Sequence, residues 1–139
     1  MNDDPNEVQL PAYVLVHPEL TDDPVNKQGE IGFITAAILN TDEFYIGFDD
    51  KEVGFYGADA LLMLNEPQLI YDYIDQNFGK LTTGDFQDLK NIVLLQLHGT
   101  EIHTRTALEL VQKNTNIHDA ATVGLDSFLG LRQQKGLKR

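Results

Sequence analysis

Few side chains in this sequence could do chemistry, and their spacing limits what that chemistry could be. The only imidazoles are His17, His98, His103 and His118, and the chain has no cysteine to join them. A zinc pair on one helix needs two ligands four residues apart on the same face. His98 and His103 are five apart with Gly99 between them, and the other two lie far away in sequence. No metal and no cofactor is therefore expected. Calcium prefers several carboxylate oxygens, and Asp22-Asp23 and Asp49-Asp50-Lys51-Glu52 supply them. Neither run has the alternating ligand spacing of a helix–loop–helix calcium site, so both read as turns. Ser127 is the sole serine, and the sequence holds no Gly-x-Ser-x-Gly elbow and no phosphate-binding glycine loop. General acid–base work needs positioned groups of matched pKa, and no motif here announces such a pair. The expectation is a non-enzymatic protein.

Charge narrows the partners. The net charge is −12, and 14 of the 22 acidic residues precede Pro67 against only two basic ones, Lys27 and Lys51. Nucleic-acid affinity rests on neutralising phosphates, so this acidity disfavours nucleic acid and anionic membrane surfaces. The only basic cluster is Arg132, Lys135, Lys138 and Arg139 in the C-terminal segment. It is a candidate contact for nucleic acid or an acidic partner, although a solvated tail is the plainer reading.

The elements that must position these residues follow from pattern. A chain of 139 residues, 42% hydrophobic and 23% charged, is ordinary for one globular domain. The acidic N-terminus resembles no signal peptide, the apolar runs Ile31–Leu39 and Ile92–Leu97 are too short to span a membrane, and the cytoplasm is the expected location. Before Glu66 short apolar runs alternate with turn residues, giving expected strands at Tyr13–Val16, Ile31–Leu39, Glu43–Phe48, Val53–Tyr56 and Ala60–Leu64. After Glu66 the period lengthens to about 3.6. Leu69, Ile70, Tyr73 and Ile74 mark a first helix. Phe86, Leu89, Ile92, Val93 and Leu97 mark a second, capped by Thr82 or Thr83 and stopped at Gly99. Ile102, Ala107, Leu108 and Val111 mark a third, opened by Thr100, and a weaker helix is expected over 119–134. The fold class is α+β, with segments 8–66 and 67–139 packed as one structural unit.

Five short strands, a long first loop and two tight hairpins resemble a Src-homology-three-like small β-barrel. The segment Lys27-Gln28-Gly29-Glu30-Ile31-Gly32-Phe33-Ile34 is similar to the glycine-spaced opening of KOW and Tudor-type barrels. That resemblance implies a closed five-stranded barrel over about residues 8–64, and a binding role toward peptides, nucleic acids or other domains. Asp22-Asp23, Asp42-Glu43 and Asp49-Asp50 in the loops depart from the basic loops of the nucleic-acid binders, and proline-recognising members often carry a tryptophan, which this chain lacks. A protein–protein interaction module is the leading expectation. The alternatives are a nucleic-acid-associated protein using the barrel and basic tail, or a small-ligand binder or enzyme at the barrel–helix junction.

Strand alternation selects a candidate surface. Val14, Val16, Ile34, Phe44, Ile46, Phe48, Phe55, Leu62 and Leu64 suit the barrel interior, which turns Phe33, Tyr45 and Tyr56 outward. Such aromatics either dock a partner or are covered by the helices.

Overall fold

Valine-, isoleucine- and aromatic-rich runs build the sheet, and the hairpins between them set its register. The computed structural model describes residues 9–130. Its strands are β1 (Tyr13–Val16), β2 (Ile31–Ile38), β3 (Glu43–Gly47), β4 (Val53–Tyr56), β5 (Leu61–Leu64) and β6 (Thr122–Gly124). The helices are α1 (Pro67–Gln76), α2 (Thr83–His98), α3 (Glu101–Lys113), α4 (His118–Ala121) and α5 (125–130). All sheet pairings are antiparallel, in the spatial order β4-β3-β2-β1-β5-β6. No helix among the described residues is long and apolar enough to cross a membrane.

The α+β class is as expected, but the sheet is open and has six strands, where a closed barrel of five was expected. Both differences have a physical cause. The pair Thr122-Val123 and the following glycine leave the expected 119–134 helix and pair with β5, Met63 lying opposite Val123. The centre of the sheet is also covered on both faces, so it cannot curl into a barrel with one lined interior. Val14, Leu15 and Val16 are consequently all buried, although alternate side chains point to opposite faces.

Two hydrophobic clusters result. On one face Leu15, Ile31 and Leu62 pack with Ile70 and Ile74 of α1, Leu89, Ile92 and Val93 of α2, and Ala107, Leu108 and Val111 of α3. On the other, Val14, Val16, Phe44, Ile46, Phe48, Tyr56 and Leu61 pack with Leu125 and Leu129 of α5. Leu62 and Leu64 thus face the helices, and Leu61 takes the place expected for them.

The helix termini follow the sequence signals. Thr82 Oγ1 accepts from the Asp85 N–H and Thr100 Oγ1 from the His103 N–H, while Gly99 closes α2 at φ +77°. Residues near the corner between α2 and α3 escape the expected buried stripes: Leu97 is exposed and Ile102 is 74% exposed, as is Leu69 in part on α1.

Candidate functional site

The helix layer stops partway across the sheet. Helix α3 packs on β1, β2 and β5, and beyond it the same face of β2, β3 and β4 carries large apolar side chains in the open. Register defines two cross-strand rows, since residues directly opposite share a face. Phe33 lies opposite Gly47, and Gly47 opposite Val53; Ala36 lies opposite Tyr45, and Tyr45 opposite Phe55. Phe33 is 42% exposed, Val53 55% and Phe55 57%, while Tyr45 is half-buried. Farther along β2, Ile38 is also exposed.

Each aromatic has a local reason for its position. Phe33 lies over Gly47, where a Cβ would stand 2.9 Å from its Cζ and push the ring from its place. Tyr13 meets Phe33 edge-on at 6.4 Å between centroids. The Arg105 guanidinium sits 5.5 Å from the Tyr13 centroid and donates to both Asp49 carboxylate oxygens, at 3.3 and 2.6 Å. This pairing with Asp49 is the main reason the Arg105 pKa is raised. A β-bulge between Ile34 and Ala36 places the Thr35 hydroxyl to donate to the Tyr45 carbonyl at 2.9 Å. Tyr45 and Phe55 then contact across the strands with centroids 5.3 Å apart.

Of the residues expected outward, Phe33 and Tyr45 share this face and Tyr56 does not. Tyr56 is 5% exposed, packed with Phe44 and Ile46, and its hydroxyl donates to Asp23 Oδ2 at 2.9 Å. Burial, then the Asp23 hydrogen bond, pushes its pKa well above the ordinary tyrosine range. Asp23, buried in the long loop, also accepts from the N–H groups of Val25 and Lys27. Phe55, expected inside, takes the outward position. The hairpin decides this. The Phe48 N–H donates to the Glu52 carbonyl, and Lys51 adopts φ +72°. Together these put Tyr56 opposite Phe44 and Gly54 opposite Ile46. A slip of one residue inverts the faces. The signal that could have found Phe55 was this turn length.

The basic residues Arg132, Lys135, Lys138 and Arg139 lie outside the described residues. His98 and His103 do come together, their rings stacked 4.5 Å apart across the α2–α3 corner. Among the described residues no three His, Asp or Glu side chains are grouped to hold a metal ion. The Asp49–Glu52 turn spends its charge on neighbours: Lys27 bridges Asp50 and Glu52, and Arg105 holds Asp49. A cleft of about 660 Å³ between His17 and His118 also contains Glu19, Asp119 and Thr115. There the His118 Nε2 is buried without a hydrogen-bond partner among the described residues, and burial lowers the pKa of the ring.

Comparison of the chain with protein-family models, with curated proteins and with solved structures finds no match.

Proposed function

We propose that this protein is a protein-interaction module whose docking surface is the uncovered face of β2, β3 and β4. The observation carrying this reading is the contiguous set Phe33, Tyr45, Val53 and Phe55, held in register beyond the reach of the helix layer. Isolated exposed apolar residues are ordinary, whereas a contiguous patch rimmed by polar groups marks an interaction site. Aromatics supply the anchors that dominate interface energies. Here two of them are braced before any partner arrives. Tyr45 is fixed by Phe55 and by the bulge, and Phe33 by Gly47 and Tyr13. Side chains already ordered lose less freedom on binding.

Affinity capture from the native cell with wild type and with a Phe33→Ser/Phe55→Ser double variant tests the reading. The expected result is a retained partner that the folded double variant loses. Equal retention by both proteins contradicts it.

A further inference from the structure

We infer that β4 is an acceptor edge for strand addition: an extended segment of a partner protein, apolar at alternate positions and basic at one end, pairs with Val53–Tyr56. This rests on the interaction reading above and names the chemistry of the partner.

The backbone phase comes first. In an antiparallel pair, residues alternate between those whose N–H and C=O face the neighbouring strand and those whose groups face away. Because the Phe48 N–H donates to the Glu52 carbonyl, Gly54 and Tyr56 face β3 while Val53 and Phe55 present their backbone groups outward. Among the described residues, no hydrogen bond satisfies those outward groups. The two patch residues on β4, Val53 and Phe55, are therefore the ones whose backbone is open to pairing.

The side-chain safeguards of an edge strand are missing from β4, which at four residues is protected only by its shortness. Natural edges carry lysine, proline or inward charges, or are very short. Val53-Gly54-Phe55-Tyr56 contains none of these side chains. The opposite edge, β6, is only three residues long and runs directly into α5.

Charge selects the occupant. At the hairpin end of β4, Asp49, Asp50 and Glu52 are answered by Arg105 and Lys27. At the other end the carboxylates have no cationic partner among the described residues, although Asp42 Oδ1 accepts from the Ala58 N–H and Asp126 Oδ1 from the Ser127 N–H. A Cβ on Gly57 would stand 2.8 Å from Asp42 Oδ2 and 3.3 Å from Asp59 Oδ1, so both acids converge where β4 stops. Beside them a cleft of about 350 Å³ is lined by Asp42, Asp126, Leu39, Phe44 and Leu129. Among the described residues, Asp42, Asp59 and Asp126 make no ion pair. An incoming lysine or arginine finds carboxylates for its head and leucines for its stem. A second copy of this chain, at net charge −12, fits poorly.

The probe is an acetylated, amidated peptide of alternating valine and threonine with lysine at both ends, together with a twin bearing glutamate at both ends. Titration into the full chain is followed by fluorescence anisotropy, and amide hydrogen exchange by NMR. Expected are binding of the lysine peptide alone, weaker at high salt, with exchange slowed at the Val53 and Phe55 amides. Val53→Pro and Phe55→Pro remove outward donors without breaking a β3 hydrogen bond, and each should bind about tenfold, or about 1.4 kcal/mol, more weakly than Val53→Ala and Phe55→Ala, which lose the same side chains but keep the donors. Asp42→Asn/Asp59→Asn should erase the preference for lysine. Equal binding of both peptides, or no slowing at the two amides, overturns strand addition. So does slowing that appears without peptide and rises with protein concentration, which assigns the edge to a second copy. Slowing that is lost when residues 131–139 are deleted overturns it as well, since the occupant is then this chain's own tail. If the proline variants keep the captured cellular partner while Phe33→Ser/Phe55→Ser loses it, strand addition fails and the interaction reading stands.

Discussion

Phe55 and Tyr56 are neighbours whose roles oppose their hydrophobicity, and paired alanine variants measure this. Fully burying a phenylalanine is worth about 1.5–3 kcal/mol relative to leaving it exposed. Phe55 is 57% exposed, and its main aromatic neighbour is Tyr45. Phe55→Ala should therefore cost roughly 1 kcal/mol. Tyr56 is buried in the cluster with Phe44 and Ile46, and its hydroxyl serves the buried Asp23. Truncating a large core aromatic costs about 3–5 kcal/mol, and leaving a buried acceptor short of a partner adds to that by about 1–3 kcal/mol. The gap between the variants should be at least about 2 kcal/mol. With urea slopes of about 1–3 kcal/mol per molar, that separates the unfolding midpoints by about 1 M. Equilibrium urea unfolding followed by circular dichroism reads it directly. Equal midpoints, or a larger loss for Phe55→Ala, would refute the assigned phase of β4 and with it the composition of the exposed face.

Three further outcomes follow from the same structure. The Tyr56 pKa is raised by burial and by Asp23, so the unfolded chain loses this proton first. Stability should be intact below about pH 10 and fall as pH rises beyond it, and Tyr56→Phe should remove that dependence in alkaline urea titrations. The His118 pKa is lowered by burial and by His17, against the opposing pull of Asp119 and Glu19, so the neutral ring is the folded form. Its contribution should be present above about pH 6.5 and decline as pH falls; a melting series from neutral to mildly acidic pH should show a shallower loss for His118→Gln than for wild type. Finally, a net charge of −12 concentrated before Pro67 should make moderate salt stabilising through screening. A melting temperature that is flat or falls on adding salt would contradict this.

Much of the fold was legible because its signals are local. Thr82, Thr100 and Gly99 mark helix ends through their own hydrogen bonds and backbone angles, and β1 and β4 fall where the apolar runs stand. What failed were features set by single-residue geometry or by distant packing. Lys51 at φ +72° fixes a hairpin register that turns Tyr56 in and Phe55 out. The Ala58–Ala60 turn before β5 likewise sends Leu61 rather than Leu62 toward Val14 and Val16. Strand β6 is three residues set among helical neighbours, and only its pairing with β5 makes it a strand. Phe33 and Tyr45 were readable as outward because β3 alternates and because Phe33 lies ahead of the bulge that shifts β2. Where the helix layer ends, which leaves them open, depends on tertiary packing that periodicity does not encode.

The most direct test of the interaction face is site-specific photocrosslinking in the native cell. A benzophenone amino acid replaces Phe55 in one variant and Ile102 in another. Both positions are exposed and apolar, but one lies on the sheet face and the other on α3. A discrete crosslinked partner from position 55 and none from position 102 is the predicted result. A partner captured only from position 102, or the same partner captured equally from both, would contradict the assignment of this face as the docking surface.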